Sequence, residues 1–122
     1  MGKKILMVDD SASVRQMMSF TLQNAGYEVI EARDGQEALD IYPGSGASML
    51  ITDLNMPKMD GYGLIEEVRR RPGSRFLPII MLTTESEQGK KDQAKELGAS
   101  GWITKPFRPD QLLKVVGMVL GH

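Results

Sequence analysis

Residues 49–55 read Met-Leu-Ile-Thr-Asp-Leu-Asn, and this stretch decides the fold. Met49 to Thr52 is a short run without the alternating polar positions of a half-solvated strand, so it predicts a strand buried on both faces. The run passes directly into Asp53, followed by Leu54 and Asn55. Strands covered on both faces belong to parallel sheets flanked by helices, and such sheets bind ligands beyond the carboxyl ends of their strands. An aspartate at that end is therefore a candidate for chemistry.

The same alternation extends in both directions. Toward the amino end, Ile5 to Val8 predicts a first strand. Ser11 can cap a helix in which Val14, Met17, Met18, Thr21, Leu22 and Ala25 recur at helical spacing, with Gly26 as its stop. Glu28 to Ala32 predicts a second strand, and Asp34 to Ile41 a short helix ended by Pro43-Gly44-Ser45-Gly46. Toward the carboxyl end a helix starts near Asp60, turns Leu64, Ile65 and Val68 inward, and ends at Pro72-Gly73. Pro78 to Leu82 predicts a fourth strand, Ser86 to Leu97 a helix poor in apolar residues, Gly101 to Thr104 a fifth strand, and Pro109 to Leu120 a last helix. Five strand–helix pairs at this spacing imply parallel strands joined by right-handed helical crossovers.

Bulk properties exclude several classes. The 122 residues suit one domain and are too few for two, so a single domain over 1–122 without an output domain is expected. The formal net charge of −1 gives no electrostatic case for nucleic acid or an anionic membrane. The absence of cysteine excludes disulfides, thiolate zinc sites and a cysteine nucleophile. The apolar run near the amino end breaks on two aspartates and is too short for a signal peptide or a membrane span, so the expected location is the cytosol.

Each strand exit carries a polar group. The first ends in Asp9-Asp10, the third in Asp53, the fourth in Thr83-Thr84 and the fifth in Lys105-Pro106. Taken singly, each reads as an ordinary cap or turn; their joint placement does not. Clustered carboxylates repel, and a divalent cation relieves the repulsion. An all-oxygen set without His or Cys suits magnesium rather than zinc. A carboxylate is a competent nucleophile for an aspartyl phosphate, and Asp53 is central in the sheet order. Lys105 can pair with a phosphoryl oxygen, and Thr83 can donate a hydrogen bond to another. Arg69-Arg70-Arg71 reads as a solvated helix end, and the methionines as core packing.

In the strings MVDDSASVR (7–15), ITDLNMPKMDGYGLI (51–65), PIIMLTTES (78–86) and GASGWITKPF (98–107), the chain resembles the two-component response-regulator receiver family, most closely its single-domain chemotaxis members. The resemblance spans nearly the whole chain. It implies a flavodoxin-like (βα)5 fold with a five-stranded parallel sheet in the order 2-1-3-4-5. Position by position it implies Asp53 as phosphoacceptor, Asp10 as a direct magnesium ligand, Asp9 as its water-linked neighbour, and Asn55 as the donor of a backbone carbonyl to the metal. Thr83 would be the switch hydroxyl, Lys105 the phosphate-contacting lysine ahead of a cis Pro106, and Trp102 the switch aromatic. Asn55 and Glu85 fall at the positions that tune water access, and imply fast self-dephosphorylation.

The implied function is a signalling switch, not an enzyme beyond its own phosphorylation and dephosphorylation. A sensor histidine kinase of the chemotaxis type would phosphorylate Asp53. The face made by helix four, strand five and helix five would then bind a target such as a flagellar motor switch protein; a monomer is expected. A phosphorelay shuttle, passing the group to a histidine phosphotransfer protein, differs only in its acceptor. An aspartate-nucleophile phosphatase would need a carboxylate two residues after the nucleophile, where this chain has Asn55. A flavin site would want a hydroxyl- and glycine-rich loop after strand one, where Asp9-Asp10 repels phosphate.

Overall fold

The computed structural model describes residues 3–84 and 88–120. Its elements alternate: β1 (Lys4–Val8), α1 (Ala12–Asn24), β2 (Glu28–Ala32), α2 (Gly35–Ile41), β3 (Met49–Asp53), α3 (Gly61–Arg69), β4 (Ile79–Thr83), α4 (Gln88–Glu96), β5 (Gly101–Thr104) and α5 (Pro109–Leu120). All strand pairs are parallel and the order is β2-β1-β3-β4-β5, as the resemblance implied. β2 and β5 have the expected bounds, β1 starts one residue early at Lys4, and β4 is shifted by one from Pro78–Leu82; β3 and β4 end in Asp53 and Thr83, the last residues of their strands. Ser86 and Glu85 lie outside the described residues. No helix among the described residues is long and apolar enough to cross a membrane.

Strand alternation sorts the apolar side chains into two cores. Leu6, Val8, Leu50, Ile79 and Met81 face α2, α3 and α4, where they meet Leu39, Leu64, Ile65, Val68 and Ala94. Ile5, Met7, Met49, Ile51, Ile80 and Leu82 face α1 and α5, where they meet Met18, Leu22, Leu112 and Val116. The central strands are buried along both faces, which explains their unbroken apolar runs. Met7, Met18, Met49 and Met81 are core residues as expected, while Met118 on α5 is exposed.

The helix boundaries follow the capping residues. Ser11, Asp34 and Asp60 accept the N–H groups of Val14, Glu37 and Gly63, and Gly26 takes a left-handed φ of 98° after α1. Ala25, expected inward, is exposed beyond the last turn of α1, while Ser19, which carries no apolar signal, is buried. Its hydroxyl donates to Glu31 Oε2 at 2.8 Å, which is why a polar side chain is tolerated there.

Candidate functional site

The sheet order places the β1 exit beside the β3 exit, so Asp9 and Asp53 are neighbours although 44 positions separate them. Asp9 is fully buried, Asp53 nearly so, and Asp10 points to solvent. Carboxylate oxygens of Asp9, Asp10 and Asp53 all lie within 4.8 Å of one another. The loop that carries the acidic pair is pinned from below. Asp9 N–H donates to the Ala32 carbonyl at 3.1 Å, and Asp9 Oδ1 accepts the Ser11 N–H at 2.9 Å. Arg15 on α1 donates to the Asp9 carbonyl oxygen at 2.6 Å while its Nε lies 3.5 Å from Glu31. Sequence reading did not single out Arg15; its place one helical turn after the Ser11 cap was the available signal.

Lys105 follows the β5 exit directly, and its bond to Pro106 is cis, as the resemblance implied. Its Nζ is 2.8 Å from Asp9 Oδ2 and 3.2 Å from Asp53 Oδ1. Asp53 Oδ1 also accepts the Leu54 N–H at 3.0 Å. Burial pushes the Asp53 carboxyl above its ordinary range; the Asp9 charge adds to this, and Lys105 opposes it. Burial alone would push the Lys105 ammonium down, but its hydrogen bond to Asp9 and the charges of both aspartates outweigh it and hold the group above its usual value.

Thr83 is fully buried at the end of β4, paired in register with Thr104, and its carbonyl accepts the Lys105 N–H at 2.7 Å. Asn55 is exposed on the loop after β3. The structure thus brings Asp9, Asp10, Asp53 and Lys105 together, with Thr83 two strands from β1 on the same edge. Glu85 lies outside the described residues. Trp102 faces the α4 side of the sheet, half-buried, and its indole N–H is buried with no hydrogen-bond partner among the described residues.

Besides Arg15, Gly61 escaped the sequence reading, while Lys58 belongs to the segment Met56-Pro57-Lys58-Met59 that reads as shaping a loop beside the site. Gly61 opens α3 directly against the site strand: a Cβ there would lie 2.6 Å from the Asp53 carbonyl oxygen and 2.8 Å from Met81 Sδ. Its N–H donates to the Leu54 carbonyl at 2.8 Å, so the helix start is tied to the loop after Asp53. Lys58 takes a left-handed φ of 70°, and its ammonium lies 3.7 Å from Asp34, the cap of α2. The Glu37 N–H, aided by the charges of Lys58 and Arg33, outweighs burial and holds the Asp34 carboxyl below its ordinary value.

The arginine run needs correcting. Arg69 is not a solvated helix end: its guanidinium donates to the carbonyls of Ser74 at 2.7 Å and Gly98 at 2.6 Å. The reason is geometric, since α3 ends where the loops into β4 and β5 pass. Arg70 does fit the expectation, being exposed and paired with Glu66 and Glu67.

The donor set fits a divalent cation. It is all carboxylate oxygen and carries three negative charges against one positive. It also sits at the crevice where the strand order reverses, between β1 and β3.

Residues 5–117 match the family model described as response regulator receiver domain. The crystal structure of the chemotaxis response regulator CheY4 of Vibrio cholerae superposes with a TM-score of 0.94 at 48% identity, covering 98% of this chain and 99% of that one. The receiver domain of the sensor histidine kinase PA1611 of Pseudomonas aeruginosa, described with a magnesium ion coordinated in its active-site cleft, superposes at 0.90 with 27% identity, each chain covered in full. A probable transcriptional regulator, ycf27 of Porphyridium aerugineum, is 42% identical over 97% of this chain. The chain spans about half the length of this relative, 48%.

Proposed function

Because this chain belongs to the response regulator receiver domain family, we propose that Asp53 accepts a phosphoryl group from a sensor histidine kinase and that the product switches the α4–β5–α5 face toward a target. The observation that carries the proposal is the Lys105 ammonium between Asp9 and Asp53, at 2.8 and 3.2 Å. Asp53 Oδ1 is held by Lys105 and by the Leu54 N–H, which leaves Oδ2 as the attacking atom. Oδ2 forms the new bond to phosphorus as the phosphorus–nitrogen bond to the donor histidine breaks, and the released imidazole takes its proton from solvent.

Magnesium would be held by the carboxylates of Asp9, Asp10 and Asp53 and the Asn55 backbone carbonyl, and when bound it supplies the positive charge that lets an anionic phosphoryl group approach. Lys105 then pairs with a phosphoryl oxygen. The Thr83 hydroxyl turns to another oxygen, and the space it leaves admits the Trp102 ring from the α4 side. Asn55 and Glu85 set how readily water reaches the phosphorus.

A chemotaxis role, with a flagellar motor switch protein as target, is supported by the 48% identity to CheY4. The ycf27 relative, similar over about half its length, supports a second reading, in which the receiver governs a transcriptional regulator. The test for Asp53 is incubation with acetyl phosphate and magnesium, followed by intact mass: one phosphoryl group is expected, and none in Asp53→Asn. Persistent modification of that variant overturns the assignment. Beryllofluoride-loaded protein titrated against a motor-switch peptide separates the two readings of the target.

A further inference from the structure

The run Arg69-Arg70-Arg71 has three different fates. Arg69 is spent on backbone carbonyls and Arg70 on glutamates. The Arg71 guanidinium makes no hydrogen bond or ion pair among the described residues, yet it is half-buried, because it lines a cavity of about 420 Å³. The cavity sits at the amino-terminal ends of β3 and β4, the end of the sheet opposite Asp53. Small-ligand sites span roughly 300–1,000 Å³, so this one admits a compact organic molecule and is far larger than a single inorganic ion needs.

Its chemistry is one-sided. None of the described residues lining it is acidic. Lys4 is not part of the lining, but its ammonium lies near the loop: a side chain built on Gly46 would meet it at 3.6 Å. Gly44 and Gly46, both in the lining, take left-handed φ values of 79° and 74°, a backbone shape in which other residues would be strained. The remaining walls are flat and rigid: the Tyr42 ring, Pro43 and Pro72. The Tyr42 hydroxyl is fixed at 2.6 Å from Ser74 Oγ, so its ring has a set orientation. A guanidinium without a counter-ion beside flat apolar walls suits an anion that carries a ring.

We propose that this cavity binds a small aromatic monophosphate, of the size of a nucleoside monophosphate, with its phosphate on Arg71 and its ring against Tyr42 and the prolines. Nucleic acid does not fit, because Glu66 and Glu67 flank the run on α3 and the net charge is −1. The bound group also has a path to α4: Tyr42 contacts Ser74, whose carbonyl shares Arg69 with the carbonyl of Gly98 at the end of α4.

The test is an NMR titration of the full chain with adenosine monophosphate, adenosine and inorganic phosphate. Adenosine monophosphate is expected to shift the Gly44 and Gly46 amides and the Arg71 Nε with millimolar or better affinity. Adenosine and phosphate should each bind at least about tenfold more weakly. Arg71→Gln should weaken binding by about tenfold or more while circular dichroism and acetyl-phosphate labelling stay unchanged. Asp53→Asn should bind as the parent does. The proposal is overturned if millimolar adenosine monophosphate leaves those resonances in place, if Arg71→Gln binds as well as the parent, or if inorganic phosphate alone binds equally tightly.

Discussion

Arg69 donates from Nη2 to the carbonyl oxygen of Gly98 at 2.6 Å, and the two residues are fitted to each other. Gly98 has a φ of 102°, and a Cβ there would lie 2.8 Å from Arg69 Nε. The bond anchors the carboxyl end of α4 to the end of α3, so any motion of α4 pivots at that end and grows toward Gln88. Arg69→Met should cost about 1–3 kcal/mol, because the Gly98 carbonyl loses its donor and the Ser74 carbonyl keeps only the Leu77 N–H at 3.3 Å. Hydrogen exchange in α4 should accelerate more than in α1. Equal protection of α4 in parent and variant would refute the anchor.

Gly61→Ala tests the close approach of α3 to the strand that carries Asp53. The added methyl group meets the Asp53 carbonyl at 2.6 Å, and backbone cannot step aside as a flexible side chain can. Overpacking of this kind costs roughly 1–3 kcal/mol. The urea midpoint should fall accordingly, and labelling by acetyl phosphate should slow because the strand that carries Asp53 has shifted.

The electrostatics of Asp53 give a pH dependence of definite sign. Burial and the Asp9 charge raise its carboxyl above the unfolded value, so the native state binds this proton more tightly than the unfolded chain does. Stability from this group therefore falls as pH rises through the carboxylate range, and the ionised group is a net cost at neutral pH. Asp53→Asn should raise the metal-free melting temperature at pH 7, and the gain should vanish as pH drops below the ordinary carboxylate value of about 4. Lys105 runs the other way: its raised value adds stability that is complete below the unfolded lysine value of about 10.4 and is lost above it. Lys105→Met should thus destabilise the metal-free protein at neutral pH, with the penalty shrinking in strong alkali.

Trp102 carries a buried indole N–H without a partner among the described residues, a defect worth about 1–3 kcal/mol. Trp102→Phe removes that donor along with some packing. The urea midpoint is expected to stay level or rise, where truncating a well-satisfied core tryptophan would lower it. Beryllofluoride with magnesium should change Trp102 emission and its quenching by acrylamide, and Thr83→Ala should abolish most of that response.

What the sequence made legible was whatever burial writes into local pattern. The strands are covered on both faces, so Met49–Thr52 and Ile79–Leu82 stand out as apolar runs, and the polar residues at their exits stand out by contrast. Side-chain fates decided by distant partners were not legible. Arg69 and Arg71 look alike in a basic run, and only the passage of the Gly98 loop and the Tyr42–Ala47 loop separates them. Asp9 and Asp10 are likewise adjacent and identical in type, yet the pairing of β1 with β2 and the reach of Lys105 bury the first and leave the second in solvent. The need for glycine at position 61 arises from a strand eight residues earlier and from Met81, which no local rule reports.

The Lys105 bridge has a consequence for how the acidic crevice meets magnesium. An ammonium tethered by the backbone is a resident competitor whose effective concentration does not dilute with the protein or the medium. Metal loading is therefore an exchange at Asp9 and Asp53 rather than the filling of an unopposed charge, and the apparent affinity is set by the difference between two cations. Removing the tethered one should tighten magnesium while disabling transfer, so occupancy of the crevice and competence for phosphorylation are separable properties of the same few atoms.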